Sequence, residues 1–170
     1  MSFDFIKEIK ESTFFVKMKK LIQFLVAFIL LIWEFPQNLL GLLVFAIMKN
    51  RRKITHIEQE KHRLFIETPK TGVSLGWFIF WTPAGNRFTY LKNDCRMHEY
   101  GHSLQSVLLG PLYLLVVGIP SLSRVFYRWL YRKKYGKSWK NYFNGFPEYW
   151  ADKLGRVIDP RRSDFHEQFL

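Results

Sequence analysis

The sequence contains a single cysteine, Cys95. That excludes an internal disulfide and agrees with a reducing compartment. It also lacks an apolar run of the roughly 20 residues that a membrane-spanning helix needs. The two longest runs, 21–33 and 39–48, are separated by Glu34-Phe35-Pro36-Gln37-Asn38, which brings in a charge and a proline. No small-x-small cleavage site follows the first run, so the segment reads as retained, not as a signal peptide. Acids are scarce: 14 Asp and Glu stand against 26 Lys and Arg, a net charge of +12. Such an excess calls for an anionic partner, either nucleic acid or the surface of an anionic membrane. No internal repeat or low-complexity tract occurs, and nothing divides the 170 residues into two domains.

Apolar mass is abundant. Hydrophobic residues make up 48% and aromatics 18%, with 17 Phe. That composition excludes disorder and suffices for a real core. With 24% of residues charged, the chain is not wholly membrane-embedded either.

Residues 1–53 read as a helical, membrane-associated segment, and 54–170 as the remainder of one domain. Both apolar runs are flanked by basic clusters, Lys17, Lys19 and Lys20 on one side and Lys49, Arg51, Arg52 and Lys53 on the other. The positive-inside rule places both ends in the cytoplasm. A re-entrant or interfacial helical hairpin satisfies this. A single kinked span over 21–48 and a pair of helices buried in a soluble core are the competitors. Residues 54–59, 63–67 and 73–81, rich in Ile, Phe, Thr and Trp, predict a short antiparallel sheet. Asp94 is placed to cap a helix from about Cys95 to Leu109, where Gly110-Pro111 stops or kinks it. A basic, aromatic helix is expected over 121–136, and a last short helix has Pro147 in its first turn and Gly155 just past its end. The stretch 124–140 interleaves basic residues with aromatics, which suits a nucleic-acid surface or a lipid headgroup region. The neighbouring apolar runs favour lipid. The fold class expected is α+β.

The chemistry concentrates at His98-Glu99-Tyr100-Gly101-His102, which fits H-E-x-x-H. Helix positions i and i+4 share a face, so the two imidazoles can converge on one Zn²⁺ at about 2.0–2.1 Å. Glu99, one residue on, can reach a metal-bound water without ligating the metal and take its proton. Gly101 is costly in a helix, by about 1 kcal/mol relative to Ala. It therefore points to the close approach of another backbone. Catalytic zinc needs a third protein ligand. Glu148 is the candidate, with Asp152 four residues later on the same face able to accept a hydrogen bond from a ligating histidine. Glu148 equally suits a helix start and Asp152 a surface ion pair. Cys95, one turn before His98, is expected to be a packed thiol. His56 and His62 are expected to be solvated or packed.

The pair His98-Glu99-x-x-His102 and Glu148-x-x-x-Asp152 resembles the gluzincin metallopeptidases, the thermolysin-like clan. The resemblance covers about five motif positions within 98–152. It implies a small zincin-like domain with an active-site helix, Zn²⁺ held by His98, His102 and Glu148, Glu99 as general base, and Asp152 as partner of His98. It also implies an edge strand pairing with an extended peptide, for which 73–81 is the candidate, and an oxyanion stabiliser, for which Tyr149, His166 and Tyr142 are candidates. The chain is much shorter than typical members. It lacks the Leu-Asp-Gly motif of intramembrane site-2-type proteases, so cleavage within the bilayer is not expected. The reading is a zinc metallopeptidase at an inner membrane, its site facing the cytoplasm, with a peptide or protein substrate and anionic lipid as partners. The alternatives are a non-enzymatic basic membrane-binding protein and a zinc hydrolase of non-peptide amides or esters.

Overall fold

A computed structural model describes residues 3–60, 62–70, 72–83, 92–137 and 139–157, without the side chains of 3–13, 92–94 and 140. The fold is α+β: five α-helices and one four-stranded sheet among the described residues.

The first two helices are α1 (Phe3–Trp33) and α2 (Phe35–Asn50). Pro36 has no N–H and restricts Phe35, so regular helix must give way here. It kinks instead of reversing. The Glu34 N–H still bonds the Leu30 carbonyl at 2.9 Å, and the Asn38 N–H bonds the Glu34 carbonyl at 2.9 Å. The expected hairpin is therefore a kinked rod. Proline in the first turn of α2 sacrifices no intrahelical bond, so the ladder passes through the joint. None of the described helices is long and apolar enough to cross a membrane.

The joint is polar and buried. Glu34 and Gln37 are fully buried and Asn38 nearly so. Arg63 grips Glu34 through two nitrogens, at 2.7 and 3.2 Å, and the Ser106 hydroxyl donates to Glu34 at 2.5 Å. Gln37 donates to the Ser106 hydroxyl and the Gly110 carbonyl. The segment that sequence alone assigns to a membrane is thus anchored at its midpoint into the domain.

The sheet comprises β1 (His56–Glu60), β2 (Arg63–Glu67), β3 (Val73–Leu75) and β4 (Phe78–Trp81), in the order β1-β2-β4-β3. It is mixed, not antiparallel as expected, because β2 and β4 run parallel. All four residues of β4, Phe-Ile-Phe-Trp, are buried. So apolar a strand belongs in the sheet interior, and the β3–β4 hairpin folds back to put it there. The stretch 73–81 is accordingly not one edge strand: β3 is an edge and β4 is central. Gly76, at φ +60°, makes the turn between them. The Asn38 side chain fills the space a Cβ would need there and accepts the Trp77 N–H at 2.7 Å.

Each face of the sheet has its own helix. Ile66, Phe78 and Phe80 pack with Val44, Phe45 and Met48 of α2. Phe65, Ile79 and Trp81 pack with Cys95 and Tyr100 of α3 (Lys92–Leu109) and with Tyr142 and Phe143. Helix α3 begins earlier than expected, so Asp94 lies inside it instead of capping it. At Gly110, φ +51°, α3 gives way to a 3₁₀ turn (Gly110–Leu112) and a π-helical turn (Leu114–Gly118), then α4 (Ile119–Tyr135), closed by Gly136 at φ +67°.

The last helix is α5 (Glu148–Gly155), packed against α3. Contact is made backbone to backbone through two glycines. A Cβ on Gly101 would collide with the Ala151 carbonyl, and one on Gly155 with the Met97 carbonyl. The close approach expected of Gly101 is borne out. Gly155 serves the same purpose and is not the helix cap, which Arg156 supplies at φ 54°. Gly101→Ala is expected to destabilise the protein by about 1–3 kcal/mol despite its better helix propensity, read as a lower urea midpoint; an unchanged or raised midpoint would contradict the packing.

Candidate metal centre

Helix α3 presents His98 and His102 one turn apart, and α5 presents Glu148 and Asp152 one turn apart. The glycine contact presses these two faces together. The result is a buried cluster of His98, His102 and Glu148 whose ligand-type atoms all lie close to one another. The Nε2 atoms of His98 and His102 are 3.1 Å apart, and Glu148 Oε2 lies 3.1 Å from the first and 3.4 Å from the second. A tetrahedral ion bonded at about 2.0–2.1 Å holds its ligand atoms about 3.3–3.4 Å apart. The triangle therefore has the size zinc requires.

The surroundings fix which ring nitrogens face inward. His98 Nδ1 donates to Asp152 at 2.6 Å. A carboxylate can only accept, so this nitrogen carries the proton. Gln105 Nε2 donates to the Pro147 carbonyl at 3.0 Å, which turns its Oε1 towards His102 Nδ1 at 2.8 Å. His102 thus also carries its proton on Nδ1 and turns Nε2 inward. Glu148 Oε1 is held by the Ser121 hydroxyl at 2.6 Å, leaving Oε2 to face the histidines. Three acceptor atoms converge, a set that either a proton on His98 or a metal ion can reconcile. The residues present fit zinc.

The electrostatics agree. Burial lowers the His98 pKa, but hydrogen bonds to Asp152 and Glu148 outweigh it and raise the group to about 10. A proton on His98 thus supplies positive charge within the cluster. Burial works against the Glu148 carboxylate, yet its contacts with His102 and His98 hold it well below the usual carboxylate range. Glu99 lies beside the cluster, and burial raises its pKa, partly offset by the two histidines. Its Oε2 is buried without a hydrogen-bond partner. A Cβ on Gly72 would meet its Oε1 at 2.6 Å, so β3 enters directly against this carboxylate.

Of the residues expected from sequence, His98, Glu99, His102, Glu148 and Asp152 come together. Tyr142 is buried beside Ser121 and feels the Glu148 and Glu99 charges. Tyr149 is 47% exposed. His166 lies outside the described residues. Cys95 is a core thiol, pushed up to about 11 chiefly by burial. His56 and His62 are on the surface, away from the cluster.

Gln105, Ser121 and Tyr113 were not anticipated. Gln105 had a signal: with His98 and His102 it completes an i, i+4, i+7 face. Ser121 and Tyr113 had none, because only tertiary structure brings them in. Tyr113 is buried and its hydroxyl donates to the Ser74 carbonyl at 3.0 Å, capping the outer edge of β3. A separate cavity of about 220 Å³ lies between α1 and the sheet, lined in part by Phe24, Phe28, His62 and Trp77. It shares no residue with the cluster, and the chemistry lies with the cluster.

No family model matches the chain, and no curated protein or solved structure matches it. The site must be judged on its own geometry.

Any metal entering the cluster must displace the His98 proton. Affinity for zinc is expected to rise with pH, approaching tenfold per unit below about pH 10 if one proton is released. Competition against a chelator of known affinity from mildly acid to neutral pH would measure this. A pH-independent affinity, after correction for the chelator, would contradict the assigned protonation.

Proposed function

We propose that this protein is a zinc-dependent metallopeptidase of gluzincin type, a small zincin-like domain attached to a membrane. One observation carries the reading: three buried ligand atoms spaced 3.1, 3.1 and 3.4 Å apart, with an unpartnered glutamate beside them. His98, His102 and Glu148 would hold the metal. Asp152 and Gln105 keep both imidazoles in the tautomer that directs Nε2 inward, and Ser121 orients Glu148.

Bound zinc would supply a Lewis acid and a water acidified towards a pKa of about 7. Glu99 has the attributes of the general base. It follows the first ligand by one residue, its Oε2 has no competing donor, and burial raises its pKa, which favours its taking up a proton. It then returns that proton to the departing amine. The β3 edge beside Gly72 is where an extended substrate backbone would lie, once Tyr113 releases the Ser74 carbonyl. Among the oxyanion candidates, Tyr142 has the best support, since it is buried near the cluster.

Membrane attachment rests on exposed apolar side chains along α1 and α2 between basic ends. Anionic lipid suits the +12 charge, and an inner membrane with the site on its cytoplasmic side suits the basic flanks. The non-peptide hydrolase remains the second reading, favoured by the deep burial of the cluster: His98, Glu99 and His102 are each at most 6% exposed.

Zinc analysis of purified wild type, Glu99→Gln and His102→Ala tests the assignment. About one zinc per chain is expected in the first two and loss in the third. Glu99→Gln should lower hydrolysis of a casein or peptide-library substrate about 10²–10⁴-fold while keeping its metal. Asp152→Asn should weaken zinc binding about 10–100-fold. Wild type that fails to take up added zinc would overturn the metallohydrolase. Zinc with ester or amide turnover but no peptide cleavage would favour the second reading.

A further inference from the structure

Beyond the metal centre, the chain carries a second ordered feature. From the end of α3 through α4, seven large apolar side chains recur at spacings of four and three: Leu108, Leu112, Leu115, Ile119, Leu122, Phe126 and Trp129. Each is between 54% and 69% exposed. Such spacing lines one side of a helix. Within α4 it runs from Ile119 to Trp129, about 15 Å at 1.5 Å per residue, and Leu108, Leu112 and Leu115 carry the same spacing up to it across the break at Gly110. None of the seven belongs to the two buried clusters that the described residues form on the sheet.

Charge decides what covers it. Residues 108–137 contain Arg124, Arg128, Arg132, Lys133, Lys134 and Lys137 and no acid. Arg124 is held by the Tyr142 and Asn141 carbonyls and Arg128 by the Tyr142 ring, whereas Lys133, Lys134 and Lys137 are exposed, and two copies joined in parallel along the stripe would bring these lysines together. Anionic lipid relieves them. The distal groups, Lys133 over Trp129 at 5.4 Å and Lys134 over Tyr135 at 5.1 Å, pair ammonium with aromatic as a headgroup layer favours. The proximal end adjoins the other apolar helices. Trp33 of α1 lies against Gly110 and donates to the Val107 carbonyl, and Gln37 donates to the Gly110 carbonyl. These bonds satisfy backbone groups where α3 breaks, as burial in an apolar phase demands.

We propose that the stripe from Leu108 to Trp129 is a membrane-docking face. It lies in the interface of an anionic bilayer, apolar side chains inward and the basic end of α4 at headgroup level. This deepens the membrane attachment proposed above by assigning it to a second element, and it is independent of the zinc chemistry.

Co-sedimentation with vesicles, in the presence of EDTA, separates the possibilities. The vesicles are phosphatidylcholine alone or with a minority of phosphatidylglycerol. Wild type is expected to bind the mixed vesicles and to be released by salt. Leu122→Glu and Ile119→Glu, both at exposed positions, should each weaken binding at least about tenfold with an unchanged circular-dichroism spectrum. Leu42→Glu on α2 is measured alongside. If Leu42→Glu alone releases the protein, α1–α2 attachment stands and the stripe proposal falls. If wild type binds no vesicle, both fall. A lipid-free dimer that Leu122→Glu dissociates would give the stripe to a second copy and overturn the proposal.

Discussion

The contact of α3 with α5 is the constraint on which the site depends. Two helices ordinarily pack with their axes 8–10 Å apart, the spacing set by the side chains between them. Here Gly101 and Gly155 remove that spacer, and carbonyls of each helix occupy the place of a side chain on the other. Only at this separation can imidazoles from one helix and a carboxylate from the other approach within 3.1–3.4 Å. The glycine inside the H-E-x-x-H motif is therefore part of the geometry of the cluster, though it carries no chemistry itself.

A second constraint acts from the opposite side of α3. The kink between α1 and α2 is held by Glu34, which Arg63 and Ser106 satisfy, and by Gln37. This buried network ties the first helices, β2 and α3 to one another. Removing one partner from such a pair strands a buried charge, typically at a cost of about 3–5 kcal/mol. The same joint places exposed apolar helices next to the end of α3. An event at the apolar surface and the position of the motif helix therefore share one set of hydrogen bonds.

The cluster is also held in place by its surroundings. Asp152 and Gln105 fix the rings, Ser121 fixes the carboxylate, and the remaining lone pairs are directed at one point. Without a cation this convergence is costly, and the chain answers with a proton on His98 and a strongly acidic Glu148. The orphaned Glu99 oxygen beside them is a further cost that folding alone does not explain.

Much of this was legible in the residues. The i, i+4 spacing on each helix dictated two pairs of facing groups, and the cost of Gly101 in a helix pointed to a close neighbour. Helix ends at Gly110 and Gly136 followed from backbone chemistry. The break at Pro36 also followed, but whether it reversed the chain did not. That depended on the hydrogen-bond ladder continuing past Glu34. The parallel pairing of β2 with β4 was hidden because local patterning fixes which residues form strands, not which strands become neighbours. Ser121 and Tyr113 reach the site from segments whose own sequence carries no sign of it. Sequence by itself determined the ligand types and their periodicity, because those are properties of a single helix. Tertiary structure alone decided that two helices face each other at metal-binding distance, because that requires backbones to meet across about 50 residues of chain.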